Sequence, residues 1–94
     1  MYTIRRAKSF EKSFRRIVGS GLTKQKKGNT EFIIDTIASG KILDKKYKDH
    51  SLKGEFVGYR ECHILNDLLL VYKIEKKINV LVLIDIGGHS QIFG

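Results

Sequence analysis

The sequence has no proline and no tryptophan, and it has a single cysteine among 94 residues. Without proline, a long disordered arm is not expected, and an apolar content of 41% is sufficient for a folded globule. One cysteine excludes an internal disulfide and fits a reducing compartment. No apolar run has the length of a signal peptide or a membrane span. We therefore expect one ordered domain over residues 1–94, located in the cytoplasm and without a membrane segment.

Negative charge is also scarce. Eighteen lysine and arginine residues stand against ten aspartate and glutamate residues, which gives a net charge of +8. This excess indicates a polyanionic or acidic partner, and nucleic acid, an anionic membrane surface and an acidic protein all satisfy the charge alone. The sequence has no phosphate-binding glycine loop and no closely spaced ligands typical of zinc sites. No cofactor and no metal are therefore expected.

Hydrophobic periodicity in the first half predicts a short strand followed by two amphipathic helices. The strand alternates apolar and polar residues, whereas each helix has an apolar stripe with helical spacing. Each stripe is bounded by residues that commonly cap helices and by glycine. The predicted elements are a strand over residues 2–6, a helix capped by Ser9 and ended by Gly19 or Gly21, a basic connector over residues 24–28, and a helix capped by Asn29 or Thr30 and ended by Gly40.

The second half predicts three consecutive strands. Alternating or strongly apolar segments cover residues 55–65, 68–74 and 78–86. Turn signals separate them, so we expect an antiparallel meander. The two helices would pack on one face of this small antiparallel sheet, and the first strand would join an edge. The fold class is therefore α+β, with the order β-α-α-β-β-β.

Strand geometry sorts the side chains of residues 60–64 between the two faces of the sheet. Cys62 and Ile64 point to one face, as does Arg60, while Glu61 and His63 point to the other. The apolar pair is expected to face the helices, with Cys62 as a small core residue. Glu61 and His63 are then expected to share the open face.

Three histidines near carboxylates suggest proton-transfer chemistry. His50 follows Asp49, and His63 lies between Glu61 and Asp67. Imidazoles and carboxylates titrate at values suited to general acid-base catalysis, and cleavage of RNA phosphodiesters uses such groups. Taken singly, a histidine like His50 is more often a solvated or capping side chain, and one like His89 more often belongs to a plain turn, while His63 could as easily be a packing residue. A zinc site made of the histidines and Asp67 is a further alternative, but their spacing does not favour it.

Four segments together resemble the YafQ-type toxins of the RelE/ParE superfamily. They are YKDHSLKG at residues 47–54, GYRECH at 58–63, DLLLVYK at 67–73 and GGHSQIF at 87–93. The resemblance implies a RelE-like fold and an mRNA interferase, which is an endoribonuclease that cuts mRNA on the ribosome without a metal. It also implies neutralisation by an acidic cognate antitoxin, and we expect the free toxin to be monomeric.

The resemblance also assigns site residues, although it leaves open which histidine is the base and which the acid. An aromatic side chain would stack on a base, and cations would contact phosphate. The catalytic positions fall on His50, His63, Asp67 and His89, and the substrate-binding positions on Phe93 and on Glu61, which is also a candidate acid. The resemblance does not assign the cations; those of this chain that could contact phosphate are Lys48, Lys53, Lys73 and Arg60, although strand alternation points Arg60 away from His63.

Three positions depart from the family pattern. Asp85 stands where many relatives have an arginine shortly before the final glycine-histidine motif. Phe56 and Leu68 occupy positions where tryptophan is common. Activity and base stacking are therefore expected to differ from those of typical members.

Two other functions remain compatible with the sequence. A non-catalytic ParE-like toxin, or a basic module that only binds a protein partner, would share the fold without using the histidines. General RNA binding through the basic surface would show strong salt dependence and no cleavage product.

Overall fold

The structure, a computed structural model, describes all residues from Met1 to Gly94. The strands and helices follow the predicted order, with two short elements added. They are β1 (Thr3–Arg6), α1 (Lys8–Gly19), α2 (Lys24–Ala38), β2 (His50–Ser51), β3 (Arg60–Leu65), β4 (Leu68–Glu75), β5 (Val80–Gly87) and α3 (His89–Phe93). Single turns of 3-10 helix lie at Lys45–Tyr47, Gly54–Phe56 and Lys76–Ile78.

All five strands form one sheet in the order β1-β5-β4-β3-β2. The strands β3, β4 and β5 make the predicted antiparallel meander, with β2 added antiparallel to β3 at one edge. At the other edge β1 runs parallel to β5, so the sheet is mixed rather than wholly antiparallel. The α+β class and the edge position of the first strand are confirmed.

The hydrophobic core lies between the two long helices and one face of the sheet. Phe10 and Ile33 from the helices pack with Cys62, Leu70 and Tyr72 from the strands, and all five are at most 2% exposed. Burial of such side chains is the main favourable term in folding. Cys62 is confirmed as a core residue.

The face of the sheet away from this core is less open than expected. Leu69 and Val71 lie on it and are each only 2% exposed. Solvent reaches this face at the far end of β4, where the side chains of Lys73 and Glu75 are 34% and 40% exposed. It also reaches the β2 edge, where the side chains of His50 and His63 are 50% and 31% exposed. The reactive groups are therefore concentrated at one edge of the sheet.

The predicted start of the first helix was wrong by two residues. Helix α1 begins at Lys8, and Ala7 occupies the N-cap position without a side-chain hydrogen bond. Ser9 lies inside the helix, where its hydroxyl donates to the Ile84 carbonyl of β5. The serine therefore ties the helix to the sheet instead of capping it.

The basic connector predicted over residues 24–28 was also wrong, because these residues form the first turns of α2. Thr23 is the N-cap, and its side chain accepts a hydrogen bond of 3.1 Å from the Lys26 amide. Lysine and glutamine are good helix formers. Asn29 and Thr30, the predicted caps, lie in the helix, and the Thr30 hydroxyl donates to the Lys26 carbonyl at 2.7 Å.

The two short elements, β2 and α3, were not predicted. Strand β2 contains only two residues and is defined by its pairing with β3. Helix α3 has five residues and follows Gly88. Each contains one of the candidate histidines. None of the helices is both long and apolar enough to span a membrane.

Candidate active site

The strand register places candidate residues in two neighbouring rows on the face away from the core. His50 pairs with Glu61, Glu61 with Val71, and Val71 with Asp85. Directly opposed residues point to the same face of a sheet. In the adjacent row, His63 pairs with Leu69. The structure thus brings His50, Glu61 and His63 together, as the alternation predicted for Glu61 and His63.

Glu61 lies between the two histidines. Its Oε1 atom is 3.5 Å from His63 Nε2 and 3.7 Å from His50 Nε2. The Glu61 residue is 5% exposed, whereas the imidazoles reach solvent, and their ring centroids are 6.4 Å apart. We call these three residues the His50–Glu61–His63 cluster. It is a buried carboxylate with two accessible imidazoles.

A backbone hydrogen bond determines which ring nitrogen of His50 carries the proton in the neutral imidazole. Its Nδ1 atom lies 2.6 Å from the Lys48 carbonyl oxygen, which only accepts hydrogen bonds, so Nδ1 carries the proton. Lys48 has the left-handed φ of 52°. In the neutral ring, Nε2 is then unprotonated and available as a proton acceptor.

The Asp49 carboxylate makes no hydrogen bond or ion pair to His50, although the two residues are adjacent in the sequence. This carboxylate accepts a hydrogen bond of 2.6 Å from the Tyr72 hydroxyl and two of 3.3 Å from Arg60. Burial, followed by the hydrogen bond to Asp49, raises the pKa of Tyr72, so the phenol stays a donor. Burial alone would lower the pKa of Arg60, but its hydrogen bonds and charge attraction to Asp49, with a further contribution from the neighbouring Tyr72, leave that pKa raised. This network was not foreseen, because it depends on the register that sets Arg60 opposite Tyr72.

His89 belongs to a separate, aromatic group. Its ring centroid is 5.1 Å from that of Phe93, and Phe93 meets Phe56 edge to face at 5.1 Å. The Gly88 amide donates to the Gln91 side chain at 2.8 Å and closes the first turn of α3. No hydrogen bond, ion pair or ring contact joins His89 to His50 or His63.

Asp67 lies apart from the His50–Glu61–His63 cluster. It is exposed in the turn between β3 and β4, and its side chain makes no hydrogen bond or ion pair. Its carbonyl oxygen lies near Gly88, because a Cβ atom at Gly88 would be 3.5 Å from it. Asp67 lines an open groove of about 670 Å³ together with Lys26 and Ser90. The backbone therefore brings Asp67 to the start of α3 and not to His50.

The three candidate lysines have different surroundings. Lys48 and His63 line the same shallow groove. Lys73 forms a 2.9 Å ion pair with Glu75, and its ammonium is 5.9 Å from the Tyr59 ring centroid. Lys53 is exposed before the 3-10 turn and has no ion pair.

Negative charge on the face away from the core is reinforced by Asp85. It lies in the same row as Glu61, with Val71 between them. Two strand spacings correspond to about 9 to 10 Å. The Asp85 carboxylate accepts a hydrogen bond of 2.8 Å from the Ile86 amide. No set of three or more histidine, cysteine, aspartate and glutamate side chains is arranged to hold a metal ion.

Comparison with known proteins reveals the family. Residues 2–94 match the profile of a family described as "Bacterial toxin of type II toxin-antitoxin system, YafQ". The "mRNA interferase toxin YafQ" of Escherichia coli K12 is 42% identical over 52 residues, which is 55% of this chain and 54% of that protein. The chain thus spans about half the length of the curated relatives it matches.

Solved structures match over nearly the whole chain. A metal-bound toxin from Helicobacter pylori is 40% identical, with a TM-score of 0.88 and coverage of 99% of this chain and 100% of that one. YafQ in the Escherichia coli DinJ-YafQ complex is 24% identical to this chain, with a TM-score of 0.84, and the match covers 100% of each chain. At this identity the similarity supports the fold alone. The chain therefore belongs to the YafQ family of bacterial toxins of type II toxin-antitoxin systems.

Proposed function

We propose that this protein is an mRNA interferase, an endoribonuclease that cleaves mRNA on the ribosome by general acid-base catalysis. The observation that supports it most directly is the position of Glu61 between His50 and His63. Two accessible imidazoles beside one buried carboxylate provide a proton acceptor and a proton donor within one cluster. The Escherichia coli relative that bears the name mRNA interferase supports the choice of substrate.

The reaction requires two proton transfers around one phosphorus atom. A histidine Nε2 removes the proton from the 2′-hydroxyl, and that oxygen forms a bond to the adjacent phosphorus. The bond from phosphorus to the 5′-oxygen breaks, and the second, protonated histidine donates a proton to the leaving oxygen. The products are a 2′,3′-cyclic phosphate and a 5′-hydroxyl end.

The distances in the cluster suit this exchange. Separations of 3.5 and 3.7 Å between Glu61 and the two Nε2 atoms are longer than ordinary hydrogen bonds. Each Nε2 therefore remains free to bond a substrate hydroxyl. The carboxylate of Glu61 stabilises whichever imidazole is positively charged during the reaction.

In our proposal the other site residues contact the RNA outside this cluster. His89 and Phe93 form an aromatic platform on which a base stacks, and Asp67 borders the adjoining groove. We assign the positive charge that stabilises the phosphate in the transition state to three lysines, of which Lys48 shares a groove with His63. These lysines are Lys48, Lys53 and Lys73.

The proposed partners follow from charge and from the relatives. A net charge of +8 favours both RNA and an acidic antitoxin that covers the basic surface. A YafQ protein of this fold forms a complex with the antitoxin DinJ in Escherichia coli. We propose that the free toxin is monomeric and acts in the cytoplasm, where ribosomes and mRNA are found.

The test is RNA cleavage with and without ribosomes, in the presence of a metal chelator. We expect a 2′,3′-cyclic phosphate product from the unaltered protein and losses of about 100-fold or more in His50→Ala and His63→Ala. Lys12→Ala on the exposed surface of α1 serves as the control. If both histidine variants cleave like the unaltered protein, the site assignment is wrong. Growth arrest without loss of mRNA would instead favour a ParE-like toxin.

A further inference from the structure

His50 lies on a segment that its own secondary structure holds weakly. Strand β2 has two residues, lies at an edge of the sheet and pairs with β3 through His50–Glu61 and Ser51–Arg60. Both of its residues are exposed. A short edge strand of this kind opens readily unless side chains fix it. Catalysis by His50 requires an additional restraint.

Arg60 supplies contacts on both sides of His50 along the chain. Its Nε and Nη2 atoms donate to the two carboxylate oxygens of Asp49, each at 3.3 Å. Its Nη1 atom donates to the Ser51 hydroxyl at 2.8 Å. One guanidinium therefore binds the residue before His50 and the residue after it.

Strand alternation explains how this arrangement leaves His50 free. Asp49 and Ser51 point to the face of the sheet that bears Arg60 and Tyr72, whereas His50 points with Glu61 to the other face. Tyr72 is 2% exposed and its hydroxyl donates to Asp49 at 2.6 Å, so the network is anchored in the core. The restraint acts from behind the segment and occupies no space at the site.

The structure assigns Arg60 as the positioning residue for His50, holding the Asp49–Ser51 segment so that the imidazole stays beside Glu61. This inference rests on the proposed function of His50. It requires arginine, because a planar guanidinium has donors spread over a fork, whereas the single ammonium of lysine cannot reach all three acceptors at once. The guanidinium and the phenol both keep their protons through the neutral range, so all of these donors persist there.

A double-mutant cycle tests the assignment. We expect Arg60→Lys to reduce the single-turnover rate about 10- to 100-fold, because small displacements of a catalytic group have effects of that size. In a His50→Ala background the same substitution should change the rate less than about 2-fold, since its effect acts through the missing imidazole. Arg5→Lys, at the opposite edge of the sheet, is the matched control, and its single-turnover rate should equal that of the unaltered protein.

Equal losses from Arg60→Lys in both backgrounds would overturn the assignment and indicate that Arg60 contacts RNA directly. Direct contact with RNA is checked by measuring how tightly Arg60→Lys binds a 2′-O-methyl RNA, which cannot be cleaved. We expect its dissociation constant to stay within about 2-fold of that of the unaltered protein. Ser51→Ala is a second variant for the case that Arg60→Lys folds poorly, because it removes only one of the three contacts of Arg60. We expect a smaller loss of cleavage rate, which should again disappear in the His50→Ala background.

A readout without RNA separates this inference from the proposed function. Nitrogen NMR of the His50 ring at alkaline pH should show the Nδ1-protonated tautomer in the unaltered protein, where Nδ1 donates to the Lys48 carbonyl. Arg60→Lys should show a mixture of tautomers, because release of the Asp49–Ser51 segment lets the ring turn away from that carbonyl. If the unaltered protein cleaves no RNA yet the tautomer shifts as expected, the function is wrong and the positioning role stands. An unchanged His50 spectrum in Arg60→Lys would refute the positioning role.

Discussion

Glu61 Oε1 lies 3.5 Å from His63 Nε2, and the carboxylate is buried while part of the imidazole reaches solvent. A buried carboxylate is stable only when neighbouring groups compensate its charge. The two histidines, and not a lysine or arginine, lie within 4 Å of this carboxylate, and each can compensate its charge when the imidazole is protonated. The groups that can neutralise the charge of Glu61 are therefore groups that can also exchange protons with a substrate.

Glu61→Gln preserves the shape of the side chain and removes its charge. We expect the cleavage rate to fall about 100-fold, because the variant cannot stabilise a protonated imidazole. The measurement is single-turnover cleavage of RNA, with Glu31→Gln on the exposed part of α2 as the matched control. A cleavage rate within about 2-fold of that of the unaltered protein would show that Glu61 takes no part in the mechanism.

Phe93→Leu removes an aromatic surface but keeps an apolar side chain. Phe93 stands between His89 and Phe56, with ring centroids 5.1 Å from each. We expect the dissociation constant for single-stranded RNA to rise about 5- to 150-fold, since stacking is worth about 1 to 3 kcal/mol per base. Fluorescence anisotropy with labelled RNA measures this effect.

Phe32→Leu serves as the control for Phe93→Leu, because Phe32 is an exposed phenylalanine on α2. This substitution should leave the affinity for RNA unchanged. If both variants bind equally well, the aromatic group around His89 only packs the end of the chain. A loss in cleavage rate with unchanged affinity would also contradict a stacking role for Phe93.

Stability at alkaline pH should depend on Cys62. Burial raises its pKa from 9.0 to about 12, and the Asp49 and Glu61 carboxylates add to the effect. Between these values the unfolded chain has lost the thiol proton while the folded protein retains it. The unfolding free energy therefore decreases as pH rises, by up to about 1.4 kcal/mol per pH unit.

Urea unfolding between about pH 9 and pH 11 tests this linkage, because an unperturbed thiol ionises at the lower end of that range. Cys62→Ala should be less stable overall but should lose stability less steeply with pH. Lysine and tyrosine ionisation contributes equally in both proteins. Identical slopes would show that the thiol is not protected in the folded state.

The true start of α2 can be located by its cap. Thr23→Ala should lower the unfolding free energy by about 1 kcal/mol, because it removes the acceptor of the Lys26 amide. Asn29→Ala, at the cap position predicted from the sequence, should be neutral or slightly stabilising in a helix interior. Thermal unfolding distinguishes the two, and the reverse order of stability would contradict the helix bounds.

The sequence was most informative where periodicity was long. Apolar stripes and alternating segments predicted the α+β class, both long helices and the β3–β5 meander, and alternation placed Glu61 and His63 on one face correctly. The polar residues 24–28 have no apolar stripe, so their helical state depends on the Thr23 cap and on α2 as a whole. Parallel pairing of β1 has no local signal either.

The candidate site was harder to predict, because its short elements depend on tertiary contacts. The adjacency of Asp49 and His50 suggested that they interact, yet strand geometry directs them to opposite faces. The positions of His89 and Asp67 follow from a five-residue helix and a turn, for which sequence periodicity gives no signal. The family motifs named these residues but did not show their separation from His50.

Asp85→Arg should increase cleavage. Asp85 shares a row and a face with Glu61, so in the proposed mechanism two carboxylates lie on the face that meets the scissile phosphate. Replacing one with arginine removes the repulsion and adds a bidentate phosphate donor. We expect the single-turnover rate to rise about 10-fold, which corresponds to about 1.4 kcal/mol of transition-state stabilisation.

Asp85→Asn separates the two effects, since it removes the charge without adding a cation. We expect its rate to lie between those of the unaltered protein and Asp85→Arg, with the differences shrinking at high salt. If the arginine variant binds RNA more tightly but cleaves no faster, position 85 contacts a phosphate other than the scissile one. A rate below that of the unaltered protein would mean that the carboxylate itself takes part in the reaction.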